Sequence, residues 1–247
     1  MAGIPRIPGA ERQAPLPDVE GSIGEIDYAL DHLDAKGFAV LTNANGIYLG
    51  EPLLDKVFEK LNKRKAVVML HPTIRQICIG SEDRNQQVRS QEAVPLLQYP
   101  QPILEFFFDT ARAVTHLILS KTVERNPDIT FIVRHCGSVL PSIIERFTSY
   151  STHVYGNNAI SSDDVRHLFK TRFYFDLAGF PFPDQIHGLL RFTDSSRLLY
   201  GTDFPFLPAG AVVRAADRND EEVGKLFGLE IQKHIYSKNA RVLLSLE

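Results

Sequence analysis

Two cysteines, Cys78 and Cys136, are the whole thiol content of the 247 residues. So few thiols exclude a disulfide framework and fit a reducing compartment, so a cytosolic location is expected. No apolar run reaches the length of a membrane span, and the N-terminus shows none of the charged-then-apolar patterning of a secretory signal. Net charge is small as well. The 27 Lys and Arg nearly balance 30 Asp and Glu, leaving a formal −3, so nothing points to a nucleic-acid or membrane partner. A phosphate-binding glycine loop is also missing. Gly21-Ser22-Ile23-Gly24 opens a helical pattern but follows no strand, and a nucleotide cradle needs both.

What the chain does have is alternation. Residues 1–20 make a Pro-rich arm, with Pro5, Pro8, Pro15 and Pro17, that reads as irregular. Residues 21–247 read as one domain, at a length common for a single α/β barrel. Ile23, Ile26, Ala29, Leu30 and Leu33 recur at helical spacing, Gly37 ends that helix, and 38–41 is a buried strand closing on Thr42 and Asn43. The unit then repeats. Leu54, Val57, Phe58 and Leu61 form one helical face behind Pro52, and the strand 66–70 delivers His71. Residues 76–91 are polar and too many for a minimal connection, which suits a lid or the wall of a site. A long helix over 103–123, stopped by Asn126-Pro127, leads to a strand over 129–133 that delivers Arg134 and His135. Pro141 opens another helix, 150–164 reads as a polar loop, and the strand 173–177 carries Asp176. After a helix with Ile186, Leu189 and Leu190, the strand 198–201 turns at Gly201 and presents Asp203; helices return at 221–227 and 239–246. Five such units predict a parallel sheet with crossover helices, and chemistry in such folds sits at the C-terminal ends of strands.

His71, His135 and Asp203 occupy those ends. Singly, each has a bland account: a satisfied buried polar group, a packed strand-end imidazole, a carboxylate capping a turn. Three such residues after three apolar strands favour a site, and imidazole with carboxylate suits zinc or another first-row divalent ion with one position open. Asp176 fits either a turn or a partner that orients a ligand. Cys136 beside His135 invites a thiol nucleophile, but neighbours on a strand point to opposite faces. His32, His116, His153, His167, His187 and His234 fall in helices or polar loops, where surface or packing roles are expected.

Four stretches then carry a resemblance: Leu70-His71-Pro72-Thr73, Phe108-Asp109-Thr110-Ala111-Arg112-Ala113, Arg134-His135-Cys136-Gly137-Ser138-Val139-Leu140-Pro141, and Leu199-Tyr200-Gly201-Thr202-Asp203-Phe204-Pro205. In this order they resemble the aminocarboxymuconate-semialdehyde decarboxylase family of the amidohydrolase superfamily. The run Leu41-Thr42-Asn43-Ala44-Asn45-Gly46-Ile47-Tyr48-Leu49-Gly50-Glu51-Pro52 is most similar to the fungal 6-methylsalicylate decarboxylase group. The resemblance implies a (β/α)8 TIM barrel holding a divalent metal, usually zinc with manganese as the alternative. It makes His71 and Asp203 metal ligands and His135 a catalytic histidine beside them. The family's His-x-His pair after the first strand has no counterpart, since the first histidine here is His32. The expected architecture is therefore an incomplete barrel comprising the last five βα units, about three units or roughly 90 residues short. Its open sheet edges would invite association, and a homodimer is one expected assembly.

The function implied is non-oxidative decarboxylation of a small hydroxyaromatic acid, such as 6-methylsalicylate or a related polyketide acid of fungal secondary metabolism. Asp203 or His135 would protonate the ring carbon. Two alternatives stay open: metal-dependent hydrolysis of an ester, lactone or amide, and an inactive truncated family member.

Overall fold

A computed structural model describes residues 12–79, 89–156 and 159–246. The chain opens with β1 (Arg12–Gln13) and α1 (Val19–His32), continues through β2 (Phe38–Leu41), and makes a small hairpin of β3 (Asn43–Ala44) and β4 (Ile47–Tyr48). Next come α2 (Asp55–Lys63), β5 (Val67–His71), a second hairpin of β6 (Gln76–Ile79) and β7 (Arg89–Glu92), then α3 (Glu105–Leu119) and α4 (Thr122–Arg125). The second half runs β8 (Thr130–Val133), α5 (Leu140–Tyr155), α6 (Ser162–Thr171), β9 (Phe173–Asp176), α7 (Gln185–Leu189) and β10 (Leu198–Leu199). It ends in α8 (Ala209–Phe227), α9 (Leu229–Lys233), a π-helical turn His234–Lys238, and α10 (Asn239–Leu243).

The main sheet has the order β1-β2-β5-β8-β9-β10, and every neighbouring pair is parallel. Order in space follows order in sequence, so each crossover steps the same way round. That is barrel-type winding; a doubly wound sheet reverses at its centre. One face of the sheet, with Phe38, Val40, Val68, Leu70, Phe131, Val133, Phe173 and Phe175, packs under the crossover helices in the main core. The other face carries Val67, Met69, Ile132, Tyr174 and Leu199, and is covered by Ala240, Leu243 and Leu244 from the C-terminal end of the chain. Strands buried on both faces read as unbroken apolar runs, which is why they were predictable.

Local chemistry sets the boundaries. Asp18 caps α1 by accepting from Gly21 N at 2.9 Å, and Ser161 with Asp164 forms a reciprocal capping box on α6. Gly37 is needed for close approach, because a Cβ there would lie 2.7 Å from Val67 O. The short edge strand β10 is finished by the chain's end. Tyr200 N donates to Ile235 O at 3.1 Å, and Asn239 Nδ2 donates to Leu198 O and Ser195 O at 2.8 and 2.9 Å. Asn239→Ala leaves both carbonyls short of a donor. The urea midpoint should fall by the equivalent of about 1–3 kcal/mol without a change in slope.

Several sequence expectations need correction. The arm does not stay irregular through residue 20: Arg12–Gln13 pairs with β2 and α1 starts at Val19, while residues 1–11 lie outside the described residues. The helix expected over 103–123 is two, broken where Lys121 adopts φ 60°. The polar stretch 76–91 forms the β6/β7 hairpin, and its part at 80–88 lies outside the described residues. The loop expected over 150–164 is mostly helix, the end of α5 and the start of α6. The strand expected over 198–201 is only Leu198–Leu199. Gly201 does not turn by a positive φ; it leaves room for Asp176, whose Cβ would lie 3.2 Å from an added Cβ. Among the described residues no helix is long and apolar enough to cross a membrane.

Candidate active site

The ends of β5, β8 and β10 bring His71, His135 and Asp203 to one place, as the sequence expects. His71 is the last residue of β5. Its Nδ1 lies 2.7 Å from Pro72 O, and a carbonyl can only accept, so Nδ1 carries the proton and Nε2 is left as a bare acceptor. That Nε2 is buried with no hydrogen-bond partner. Burial, reinforced by the Arg134 charge, holds the imidazole below its ordinary pKa and so neutral. The ring of Phe206 rests against it, with centroids 5.0 Å apart.

Asp203 lies in the loop after β10 with φ 61°. One oxygen, Oδ1, accepts from Arg134 Nη2 at 2.7 Å; the other, Oδ2, is 3.6 Å from His135 Nε2. Burial pushes this carboxyl up, but His135, Arg134 and His71 together outweigh it and hold it below the usual carboxylate value. Asp203 is therefore ionised at neutral pH and faces cationic and imidazole partners. His135 stacks on Phe107 at 5.5 Å, and its Nδ1 is buried without a partner.

Arg134 is a residue the sequence reading passed over. Its side chain, 12% exposed, lies between two carboxylates, with Nη2 on Asp203 and Nε 3.4 Å from Asp176 Oδ2. Its place immediately after an apolar strand was the available signal. Asp176 resolves into both roles left open for it: its Oδ1 accepts from Ala178 N at 3.1 Å, a turn contact, and from His135 N at 2.8 Å, an orienting one. Cys136 is fully buried, and burial followed by the Asp176 charge pushes its thiol pKa up. It is an inert packing group.

His71, His135 and Asp203 form the polar end of a cavity of about 840 Å³, whose remaining wall includes Leu41, Ile74, Phe106, Phe107, Phe180 and Phe206. Aromatic faces on several sides with a few polar groups converging at one end suit a flat, largely apolar ligand bearing a polar substituent.

Behind the wall lies a buried polar cluster that accounts for two of the sequence motifs. Asp109, fully buried on α3, accepts from Thr42 Oγ1, Asn43 Nδ2, Tyr48 OH and Arg112 Nη1. Asn43 Nδ2 also donates to Ile74 O, and Thr73 N donates to Thr42 Oγ1, both at 3.3 Å, so the cluster holds the loop that follows His71. Burial and the Asp109 hydrogen bond push the Tyr48 phenol up to about 12. Because its folded value lies above its ordinary one of 10.0, the stabilisation is complete below that value and is lost as pH rises through about 12. Stability of the wild-type chain should fall over this alkaline window. Tyr48→Phe should flatten the fall, as followed by thermal unfolding at successive pH values.

The sequence profile of the amidohydrolase family matches residues 9–246. The chain belongs to that family. It is 33% identical over 198 residues to decarboxylase yanB of Aspergillus niger, covering 78% of this chain and 51% of that protein. To the 6-methylsalicylic acid decarboxylase acuB of Aspergillus aculeatus it is 29% identical over 213 residues, covering 85% of this chain and 60% of that one. The amidohydrolase chain thus spans little more than half the length of these fungal relatives. Among solved structures, it superposes with a TM-score of 0.72 on a dihydroxybenzoic acid decarboxylase from Polaromonas that contains bound manganese and 2-nitroresorcinol. That match has 19% identity and covers 94% of this chain and 67% of the other.

A metal centre can be tested against the residues present. The bare, buried Nε2 of His71 and the ionised Asp203 are chemically right for a divalent ion. Their number is not. Among the described residues no group of three or more His, Cys, Asp and Glu is arranged to hold a metal, and Arg134 already occupies one Asp203 oxygen. Zinc sites take three or four protein ligands. Among the described residues of this amidohydrolase these two groups are too few to form a metal centre by themselves.

Proposed function

We propose that this chain carries most of the substrate pocket of a decarboxylase that releases carbon dioxide from a small hydroxylated aromatic acid without an oxidant. The observation that carries the reading is the aromatic-walled cavity ending on His135 and Asp203. The fungal relatives named as decarboxylases support it, and 6-methylsalicylate or a related polyketide acid is the substrate favoured. His71 and Asp203 are what the chain would contribute to a zinc or manganese site completed by donors outside the described residues. The six-stranded sheet would be the larger part of an eight-stranded barrel. A homodimer in the cytosol belongs to the same proposal.

In the reaction the bond between ring carbon and carboxylate breaks, the electron pair stays on the ring, and a proton must be delivered there. Overall, the arylcarboxylate and one proton give the arene and carbon dioxide. Of the two candidate donors, Asp203 is held ionised and is better suited to balance charge. His135, 3.6 Å from it, is the better proton carrier, because an imidazole can both give and take a proton. No Lys or Arg lines the cavity among the described residues, and the bare Nε2 of His71 offers the substrate's anionic end no donor.

The test is to incubate the purified chain, with and without added Zn²⁺ or Mn²⁺, with 6-methylsalicylate and a panel of hydroxybenzoates, and to measure carbon dioxide and the phenol formed. Stoichiometric carbon dioxide and phenol are expected. Conversion of an ester or lactone to a new carboxylate instead would assign hydrolysis. No turnover together with no retained metal by elemental analysis would leave a non-catalytic family member.

A further inference from the structure

His135 reaches the pocket through an unusual piece of backbone. Four residues in succession have positive φ: His135 at 56°, Cys136 at 53°, Gly137 at 75° and Ser138 at 55°. Only one of them is glycine, the residue that enters this region without a steric penalty. A left-handed turn of three side-chain-bearing residues persists only if its surroundings over-determine it. Three sets of contacts do so. Inside the turn, Ser138 N donates to His135 O at 2.8 Å. From the adjacent strand, Asp176 Oδ1 accepts from His135 N at 2.8 Å. From the far side, at the start of α7, Gln185 Nε2 donates to His135 O at 2.7 Å and to Ser138 O at 3.1 Å.

We propose that Gln185 is a positioning residue, whose carboxamide clamps the left-handed turn at both ends and thereby holds the His135 ring against Phe107 and within reach of Asp203. The chemistry of the contact requires an N–H donor with more than one hydrogen facing two carbonyl oxygens. A carboxylate of the same size would set acceptor against acceptor, and a thioether would offer no donor. Gln185 also lines the cavity, so the clamp borders the space a ligand would occupy, and movement of α7 would be felt directly at His135. Nothing in the local sequence marks this glutamine; its partners lie 50 and 47 positions away.

The clamp follows from geometry, and only the turnover part of its test rests on the decarboxylase reading. The full chain, carrying isotope-labelled histidine, is compared with Gln185→Glu and Gln185→Met by NMR, the His135 signals being identified by their loss in His135→Gln. Both variants should keep the wild-type far-UV circular dichroism. Their His135 ring protons should lose the upfield displacement and cross-relaxation that come from the Phe107 face. In turnover, kcat should fall about a hundredfold with KM little changed, as expected when a reacting group is misplaced by about 1 Å. Wild-type His135 signals in both folded variants would overturn the clamp. Absence of carbon dioxide release from the wild type would remove the decarboxylase reading and leave the NMR comparison to decide the clamp.

Discussion

Asp109→Ala is expected to cost about 3–5 kcal/mol of stability, because several donors lose one shared buried acceptor at about 1–3 kcal/mol each. For a chain of this size that corresponds to a drop in unfolding midpoint on the order of 10 °C. The reason is a concentration of unmet donors. Thr42, Asn43, Tyr48 and Arg112 all direct hydrogen-bonding groups at this one fully buried carboxylate, and alanine leaves them facing a void. Asp109→Asn should lose less, because one oxygen remains to accept while the new amide opposes donors on the other side. Denaturant titration of the three proteins checks the order. A midpoint for Asp109→Ala within about 1 kcal/mol of wild type, the effect of one ordinary hydrogen bond, would mean that water takes over the cluster. The loop after His71 should loosen together with the network, since Thr73 and Ile74 are tied to it.

On the decarboxylase function proposed above, Asp203→Asn is expected to lower carbon dioxide release by about 10²–10⁴, the range for losing a positioned acid–base partner. The amide is nearly the same size, so the pocket should keep its shape and bind an aromatic acid with similar affinity. What it cannot do is balance the guanidinium of Arg134, which stands 2.7 Å from the carboxylate. Single-turnover assays with ligand binding measured in parallel separate the two effects. Activity within tenfold of wild type would exclude Asp203 from the chemistry and return it to the turn-capping role that its place in the sequence also allows.

The strands and the three site residues were legible in the sequence because their signals are local. The runs at 38–41 and 129–133 are apolar on both faces, and His71, His135 and Asp203 each follow such a run. The errors have equally local causes. The end of α5 and the beginning of α6 carry their polar residues outward, so a helical stretch reads as a loop. The break at Lys121 depends on a left-handed lysine, a choice that no propensity favours. The roles of Gln185 and Asp109, and the two carboxylates that Arg134 joins, were beyond reach for another reason. The partners of these residues are carboxylates, carbonyls and hydroxyls many residues away, assembled only when the strands lie in register. Two motifs were visible as patterns, yet only the fold shows that they converge on one buried carboxylate.

The pairing of the last strand with the chain's end bears on the order in which the site comes together. Leu198 and Tyr200 draw hydrogen bonds from or toward Asn239 and Ile235, and the loop carrying Asp203 begins directly beyond them. On a ribosome, this two-residue strand is held along one edge only, by β9, until that tail has been synthesised and has docked. His71 and His135 can be set in place by the earlier strands, but Asp203 waits for about forty further residues. Assembly of the site is thus expected to be a late event in the vectorial folding of this chain, with Asp203 the last of its groups to arrive.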